Sequence, residues 1–227
     1  MTESFRLSPE PAAAPQSDCR PATHGALDLR LADCMEVMKT FPDGHFHLAI
    51  VDPPYGIGED GGKRRTRGSK RTNGDAKGWD REPPSPAYFA ELRRVSKHQI
   101  IWGGNYFADQ LPASRCWIYW QKDMGGDFAD GELAWTSFDR VLKQWRKRSE
   151  THGRIHPTQK PVALDNWTLA NYAKPGQRVL DTHMGSGSIA IAAHYFGVHL
   201  TACEIDADYF HAAKARIERE TSQTAFW

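Results

Sequence analysis

Apolar residues in this chain gather in short runs that alternate with stretches of helical spacing. The runs Leu27 to Leu31, His47 to Val51, Gln99 to Trp102, Cys116 to Trp120, Glu132 to Trp135, Arg178 to Asp181 and His199 to Cys203 predict strands. Between them, a short stretch with Met35, Val37 and Met38, then Pro86 to Val95, Pro161 to Ala173, Ile189 to Phe196 and Ala207 to about Glu220 predict helices. Pro161 suits the first turn of its helix. The run ending at Val51 must stop at Asp52-Pro53-Pro54-Tyr55, because two consecutive prolines cannot continue a central strand. Strands alternating with helices predict an α/β domain built on a mostly parallel sheet with helices on both faces. Chemistry in such sheets gathers at the carboxyl ends of the strands, and Asp33, Asp52, Asp181 and Glu204 each fall at such an end.

The rest of the chain has less pattern. Residues 1–25 are rich in Pro, Ala and Ser and read as a flexible tail, with one domain over 26–227. Gly56 to Asp80 is glycine-rich and basic without hydrophobic period, which predicts a long loop. No apolar run is long enough to span a bilayer, and the start of the chain does not read as a signal peptide. Cys19, Cys34, Cys116 and Cys203 are scattered singly, which argues against a metal site and for reduced thiols in a cytoplasm. The net charge is only +1, but its distribution is uneven. Lys63, Arg64, Arg65, Arg67, Lys70 and Arg71 form one basic run; Arg140, Lys143, Arg146, Lys147, Arg148 and Arg154 form another. Such patches can follow a phosphate backbone, although charge alone equally describes a solvated loop and a solvated helix face.

Two segments carry chemistry. Asp181-Thr182-His183-Met184-Gly185-Ser186-Gly187-Ser188 joins a predicted strand to a predicted helix. Glycines there allow a tight turn and close approach of backbone to ligand, and Glu204, closing the next strand, can accept two ribose hydroxyls. A glycine turn followed by an acid fits any nucleoside cofactor; the strict GxGxxG spacing of dinucleotide sites is absent. Asp52-Pro53-Pro54-Tyr55 is the sharper signal. An exocyclic amino group on a base is planar and weakly nucleophilic, because its lone pair is conjugated with the ring. Acceptors aimed at both N–H bonds localise that lone pair; Asp52 supplies one, and a carbonyl held by the two prolines can supply the other. Tyr55 offers a face on which an extruded base can stack.

On these residues the chain resembles the bacterial and phage DNA amino-methyltransferases in which the catalytic motif precedes the cofactor motif. Asp52 to Tyr55 resembles their catalytic tetrapeptide, and Asp181 to Ser188 their methionine-binding turn. His156-Pro157-Thr158-Gln159-Lys160-Pro161 resembles the segment that helps hold the carboxylate end of the cofactor. Leu31-Ala32-Asp33-Cys34 resembles the acid-containing strand end beside the adenine of S-adenosylmethionine, and Trp102 to Tyr106 and Asp130 to Trp135 are similar to prophage-borne members. The resemblance covers about Leu27 to Ile217. It implies a Rossmann-like S-adenosylmethionine-dependent fold with permuted motif order. It also implies cofactor contacts from Asp33, Cys34, Asp52, His156, Thr158, Gln159, Lys160, Asp181, His183, Gly185, Ser186, Gly187, Ser188 and Glu204, and no metal.

Two departures stand out. The family usually has Pro and Phe after the first acid of the glycine turn, where this chain has Thr182 and His183. Either His183 supplies a flat ring in the same place or cofactor binding is weakened. Many relatives insert a large recognition domain between the segments at Trp135 and His156; here 136–155 is a short recognition segment, which shifts base reading to the two basic clusters and to a second subunit of a homodimer. Asp at the first position of the tetrapeptide favours adenine N6 in double-stranded DNA over cytosine N4. RNA, a protein amide, or a DNA-binding protein with a degenerate cofactor site are the other readings. Neutralising three cations of Lys63 to Arg71 should weaken DNA binding and lower the slope of log affinity against log salt by about 2–3 units. Unchanged affinity and slope in a fluorescence-anisotropy titration would reduce that run to a solvated loop.

Overall fold

The computed structural model describes residues 24–58, 78–123, 129–147 and 154–222. Eight strands, β1 (Leu27–Leu31), β2 (Leu48–Val51), β3 (Gln99–Trp102), β4 (Trp117–Gln121), β5 (Gly131–Thr136), β6 (Lys143–Arg146), β7 (Arg178–Asp181) and β8 (His199–Glu204), form one sheet in the order β1-β8-β7-β2-β3-β5-β4-β6. Only β5 runs against its neighbours. The helices are α1 (Cys34–Lys39), α2 (Pro86–Val95), α3 (Val162–Tyr172), α4 (Ser188–Phe196) and α5 (Ala207–Thr221). The predicted elements are all present. Pro161 caps α3 from one residue outside it instead of entering its first turn.

Alternating side chains on each central strand divide the apolar residues into two cores, one per face. Leu48, Ile50, Ile100, Trp102, Ile118, Trp120 and Val179 join Leu164 and Leu169 of α3 and Ile191 of α4. Ala49, Val51, Ile101, Trp135 and Leu180 join Met38 of α1 and Tyr88, Phe89 and Leu92 of α2. The sheet is therefore covered on both sides, which is why β2, β3 and β7 read as nearly continuous apolar runs.

One basic cluster departs from expectation. The segment from Lys143 to Arg146 is not a helix face but an edge strand, parallel to β4 and anchored by Trp145 against Trp120, ring centroids 6.2 Å apart. Its alternation of polar residues with a single aromatic is too short to announce a strand.

The topology sets the site. From β7 the chain crosses through α4 to β8 on one side; from β2 it crosses through α2 to β3 on the other. The carboxyl ends of β7 and β2 thus flank the switch point, where an open α/β sheet leaves a crevice. At its floor Gly187 caps α4 with φ +74°, and a Cβ there would fall 2.7 Å from Ile217 Cδ1 on α5. Both the dihedral and the close packing require glycine. Gly187→Ala should cost about 1–3 kcal/mol in urea unfolding; a stability equal to wild type would show that α5 moves aside freely.

Candidate active site

A cavity of about 460 Å³ opens at the switch point. Each lobe of the sheet contributes a strand end: Asp33 and Cys34 after β1, Asp52 and Pro54 after β2, Trp102 from β3, Asp181 to Ser186 after β7, and Glu204 from β8. The segment His156 to Lys160 closes it. Every residue expected to hold a cofactor lines this space except Gly187, which lies beneath it against α5. Pro53 is buried, and Tyr55 packs beside the cavity without lining it.

Many of these side chains are already braced by the fold. Asp33 is the N-cap of α1, accepting from the N–H groups of Met35 (2.7 Å) and Glu36 (3.3 Å). Glu204 accepts from the N–H of Gly185 at 2.9 Å through one oxygen and from that of Asp206 at 3.0 Å through the other. Each oxygen keeps a second lone pair for a ligand. Ser188 donates to the carbonyl of Lys160, and the Arg216 guanidinium donates to Ser188 Oγ and the Ser186 carbonyl, tying α5 to the turn. Gln159 accepts from the Ile155 N–H, and His156 lies edge-on to Tyr209 at 4.3 Å.

The Asp52–Tyr55 tetrapeptide is held by a charged network. Asp52 Oδ1 accepts from the Tyr55 hydroxyl at 2.6 Å, and Oδ2 accepts from Lys160 Nζ. The same ammonium lies 3.3 Å from Glu132 Oε2 and 5.1 Å above the Trp102 ring. Glu132 also accepts from Lys122. Burial disfavours the Lys160 charge, but Asp52 and Glu132 outweigh it and raise the group above the ordinary lysine range. Burial likewise pushes Glu132 up, and Lys160 and Lys122 reverse this to leave it lowered. Tyr55 stacks on the exposed ring of Tyr106 at 4.8 Å, so its hydroxyl positions Asp52 and one of its faces is shared. Gly103 makes room for that ring: a Cβ there would lie 2.1 Å from Tyr55 Cε1.

The unusual Thr182-His183 pair is accommodated by α2. The Tyr88 hydroxyl and Thr182 Oγ1 are 2.6 Å apart, and Thr182 Oγ1 lies 2.9 Å from His183 Nδ1. This chain of hydrogen bonds presents the imidazole to the cavity as a fixed flat ring. Burial lowers its pKa to about 4, so it is neutral at ordinary pH.

Sequence reasoning missed Asp165, Glu132, Lys122, Tyr88 and Trp79; Trp102, read as packing, is buried in the core and also lines the cavity. Asp165 did leave a signal, a carboxylate within the buried positions Leu164, Thr168, Leu169 and Tyr172 of α3. Of the expected DNA-contacting cations, Lys63, Arg64, Arg65, Arg67, Lys70, Arg71 and Arg148 lie outside the described residues. Arg140 is spent on the fold, donating to the Asn171 carbonyl at 2.7 Å and lying over the Phe138 and Tyr172 rings. Arg146 is paired with Asp123 at 2.8 Å. Lys143 is exposed on β6. No helix among the described residues is long and apolar enough to cross a membrane.

The mostly parallel α/β sheet, with a cavity lined by acids at its switch point, has the fold of S-adenosylmethionine-dependent DNA methyltransferases. Residues 96–215, more than half of the chain, match the N6/N4 DNA methylase family, and the chain belongs to it. It is a DNA methyltransferase of the class that acts on adenine N6 or cytosine N4. It is 25% identical over 206 residues to YubD of Escherichia coli (strain K12), named as a methylase, covering 82% of this chain and 87% of that one. Among solved structures, M1.HpyAVI in complex with S-adenosylmethionine superposes with TM-score 0.58 at 19% identity over 84% of this chain and 98% of its own. The cytosine-N4-specific PvuII DNA methyltransferase gives 0.58 at 14% identity over 88% and 91%.

Burial pushes Asp165 up to about 7 and Asp181 to about 8. The folded chain therefore holds protons that the unfolded chain, with carboxyl groups near 4, releases, and stability should fall as pH rises through this window. His183 acts in the opposite sense, withdrawing stability as pH falls from about 6.5 towards 4. Calorimetry of the ligand-free protein should show Tm declining from about pH 6 to 9, with Asp181→Asn flattening the decline. A Tm that climbs over this range in both proteins would refute the burial of ionisable carboxyls.

Proposed function

We propose that the protein transfers the methyl group of S-adenosylmethionine to N6 of an adenine in a specific sequence of double-stranded DNA, without a metal and as a homodimer. The observation that carries this reading is the Asp52–Tyr55 tetrapeptide, standing at the mouth of an acidic cavity on the strand next to the glycine turn. Six acidic side chains, Asp33, Asp52, Asp165, Asp181, Glu204 and Asp206, line that cavity with a single ammonium, Lys160; even with Asp165 and Asp181 largely protonated the acids outnumber it, which favours a cationic nucleoside. When bound, S-adenosylmethionine supplies an electrophilic methyl group on a positively charged sulfur.

The chain's own residues position the nucleophile. Tyr55 and Lys160 fix the Asp52 carboxylate and leave further lone pairs on its oxygens to accept an N–H of the target amino group. The carbonyl held by Pro53 and Pro54 accepts the second N–H, and the target's lone pair is then free of the ring. The neutral His183 ring and the Trp102 ring exclude water without adding positive charge where the sulfur must sit. Positioning of this kind dominates a direct displacement. Glu204 holds the ribose and the Asp33–Cys34 end the adenine of the cofactor. Asp at position 52 supports adenine over cytosine N4, the second reading.

Host DNA carrying the gene in a methylation-free strain, digested to nucleosides, should contain N6-methyladenine by mass spectrometry. N4-methylcytosine alone would overturn the target and keep the mechanism. Asp52→Ala should abolish turnover while still binding S-adenosylmethionine; an active variant would overturn the role of Asp52. Tyr55→Phe removes a hydrogen bond to a carboxylate and should lower kcat about tenfold or more. Wild-type kcat in that variant would return Tyr55 to stacking alone.

A further inference from the structure

Asp165 stands in the first turn of α3, 4% exposed, with its carboxyl lining the cavity. The other buried acids of the site have donors or close cations: Asp52 has Tyr55 and Lys160, Asp181 the His183 N–H, and Glu132 accepts from Lys122 and pairs with the Lys160 charge. Among the described residues no N–H or O–H group donates to Asp165; Lys160 and Arg216 reach it through their charge alone, and its carboxyl is left to the cavity. An acceptor withdrawn from water and left without a donor costs free energy unless something else supplies one.

Among the described residues, the two cations that act on Asp165 have other partners. The Lys160 ammonium, on the segment before α3, is committed to Asp52 and Glu132. The Arg216 guanidinium, from α5, is committed to Ser186, Ser188 and Glu220. From β2 and β7 the facing groups are Asp52, an acceptor already held by Tyr55 and Lys160, and Asp181, which burial keeps largely protonated near neutral pH, so neither supplies a cation. A ligand must therefore bring the donor, and a cationic donor best satisfies the surroundings. Resting on the function proposed above, we infer that Asp165 binds the ammonium group at the amino-acid end of the cofactor.

The chemistry of the ligand selects that group. The sulfonium is cationic but has no hydrogen to donate, and it must lie beside the target nitrogen at Asp52. The ribose hydroxyls are neutral and belong to Glu204, and the adenine lies at the Asp33–Cys34 end. Only the ammonium is both charged and a multiple donor. Burial, with Asp52 adding to it and Lys160 and Arg216 opposing it, pushes the Asp165 carboxyl up to about 7. Bound ammonium favours the ionised form, so docking of the amino-acid end should expel a proton from this site.

Calorimetric titration of the full chain with S-adenosylhomocysteine and with 5′-methylthioadenosine, which lacks the amino-acid end, tests this. Asp165→Asn should weaken S-adenosylhomocysteine about 10- to 100-fold and leave 5′-methylthioadenosine within about twofold. Asp165→Ala should repeat the pattern, with folding of both variants checked by thermal melting. In the wild type, the preference for S-adenosylhomocysteine should weaken as pH falls from about 8 to 6, more than it does in Asp165→Asn. Equal losses for both nucleosides, no loss for either, or identical pH profiles would overturn the inference alone. Failure of the wild-type chain to bind either nucleoside would overturn the cofactor reading and this inference with it.

Discussion

The site depends on a lysine that the fold has taken out of water. Lys160 is buried between two carboxylates and over an indole, and its partners come from distant parts of the chain: Asp52 after β2, Glu132 on β5, Trp102 on β3. Removing any one carboxylate leaves a buried charge half-compensated, a strongly destabilising change in a low-dielectric setting. The network therefore links the antiparallel strand of the sheet to the catalytic tetrapeptide. It also fixes where the segment before α3 must lie, and through the Ser188–Lys160 contact it fixes the glycine turn as well. Catalytic geometry and tertiary structure rest on the same ion pairs.

The fold was legible in the sequence because its strands are buried on both faces. Runs such as Leu48–Val51 and Gln99–Trp102 have no polar interruption, so both their existence and their ends are sharp. Asp52 and Asp181 were legible for the same reason, since each stands at the end of such a run, whereas Asp33 follows the mixed strand Leu27–Leu31 and was read from its place after a strand. What stayed hidden was long-range pairing. Nothing local in Asp130 to Trp135 marks Glu132 as the partner of a lysine that lies beyond the next strand, and the strand Lys143–Arg146 is polar because it lies at an open edge. Arg140 and Arg146 were visible as charge, but only the structure shows that backbone, rings and Asp123 already occupy them.

Acidity in this cavity also reconciles stability with binding. Buried carboxyls that lack counter-charges weaken the free protein, and a cationic ligand supplies what the chain withholds. Sites of this kind sacrifice folding free energy for affinity, and linkage then stabilises the loaded state by more than the bare contacts suggest.

The hydrogen-bonded line from Tyr88 through Thr182 to His183 has an evolutionary consequence. A change of Thr182 alone to the proline usual among relatives would strand a buried phenol on α2, and loss of the Tyr88 hydroxyl alone would release the imidazole from its setting. Neither step is neutral without the other. Positions 88 and 182, far apart in sequence, are thus bound into one unit in which a change at either is felt at the other.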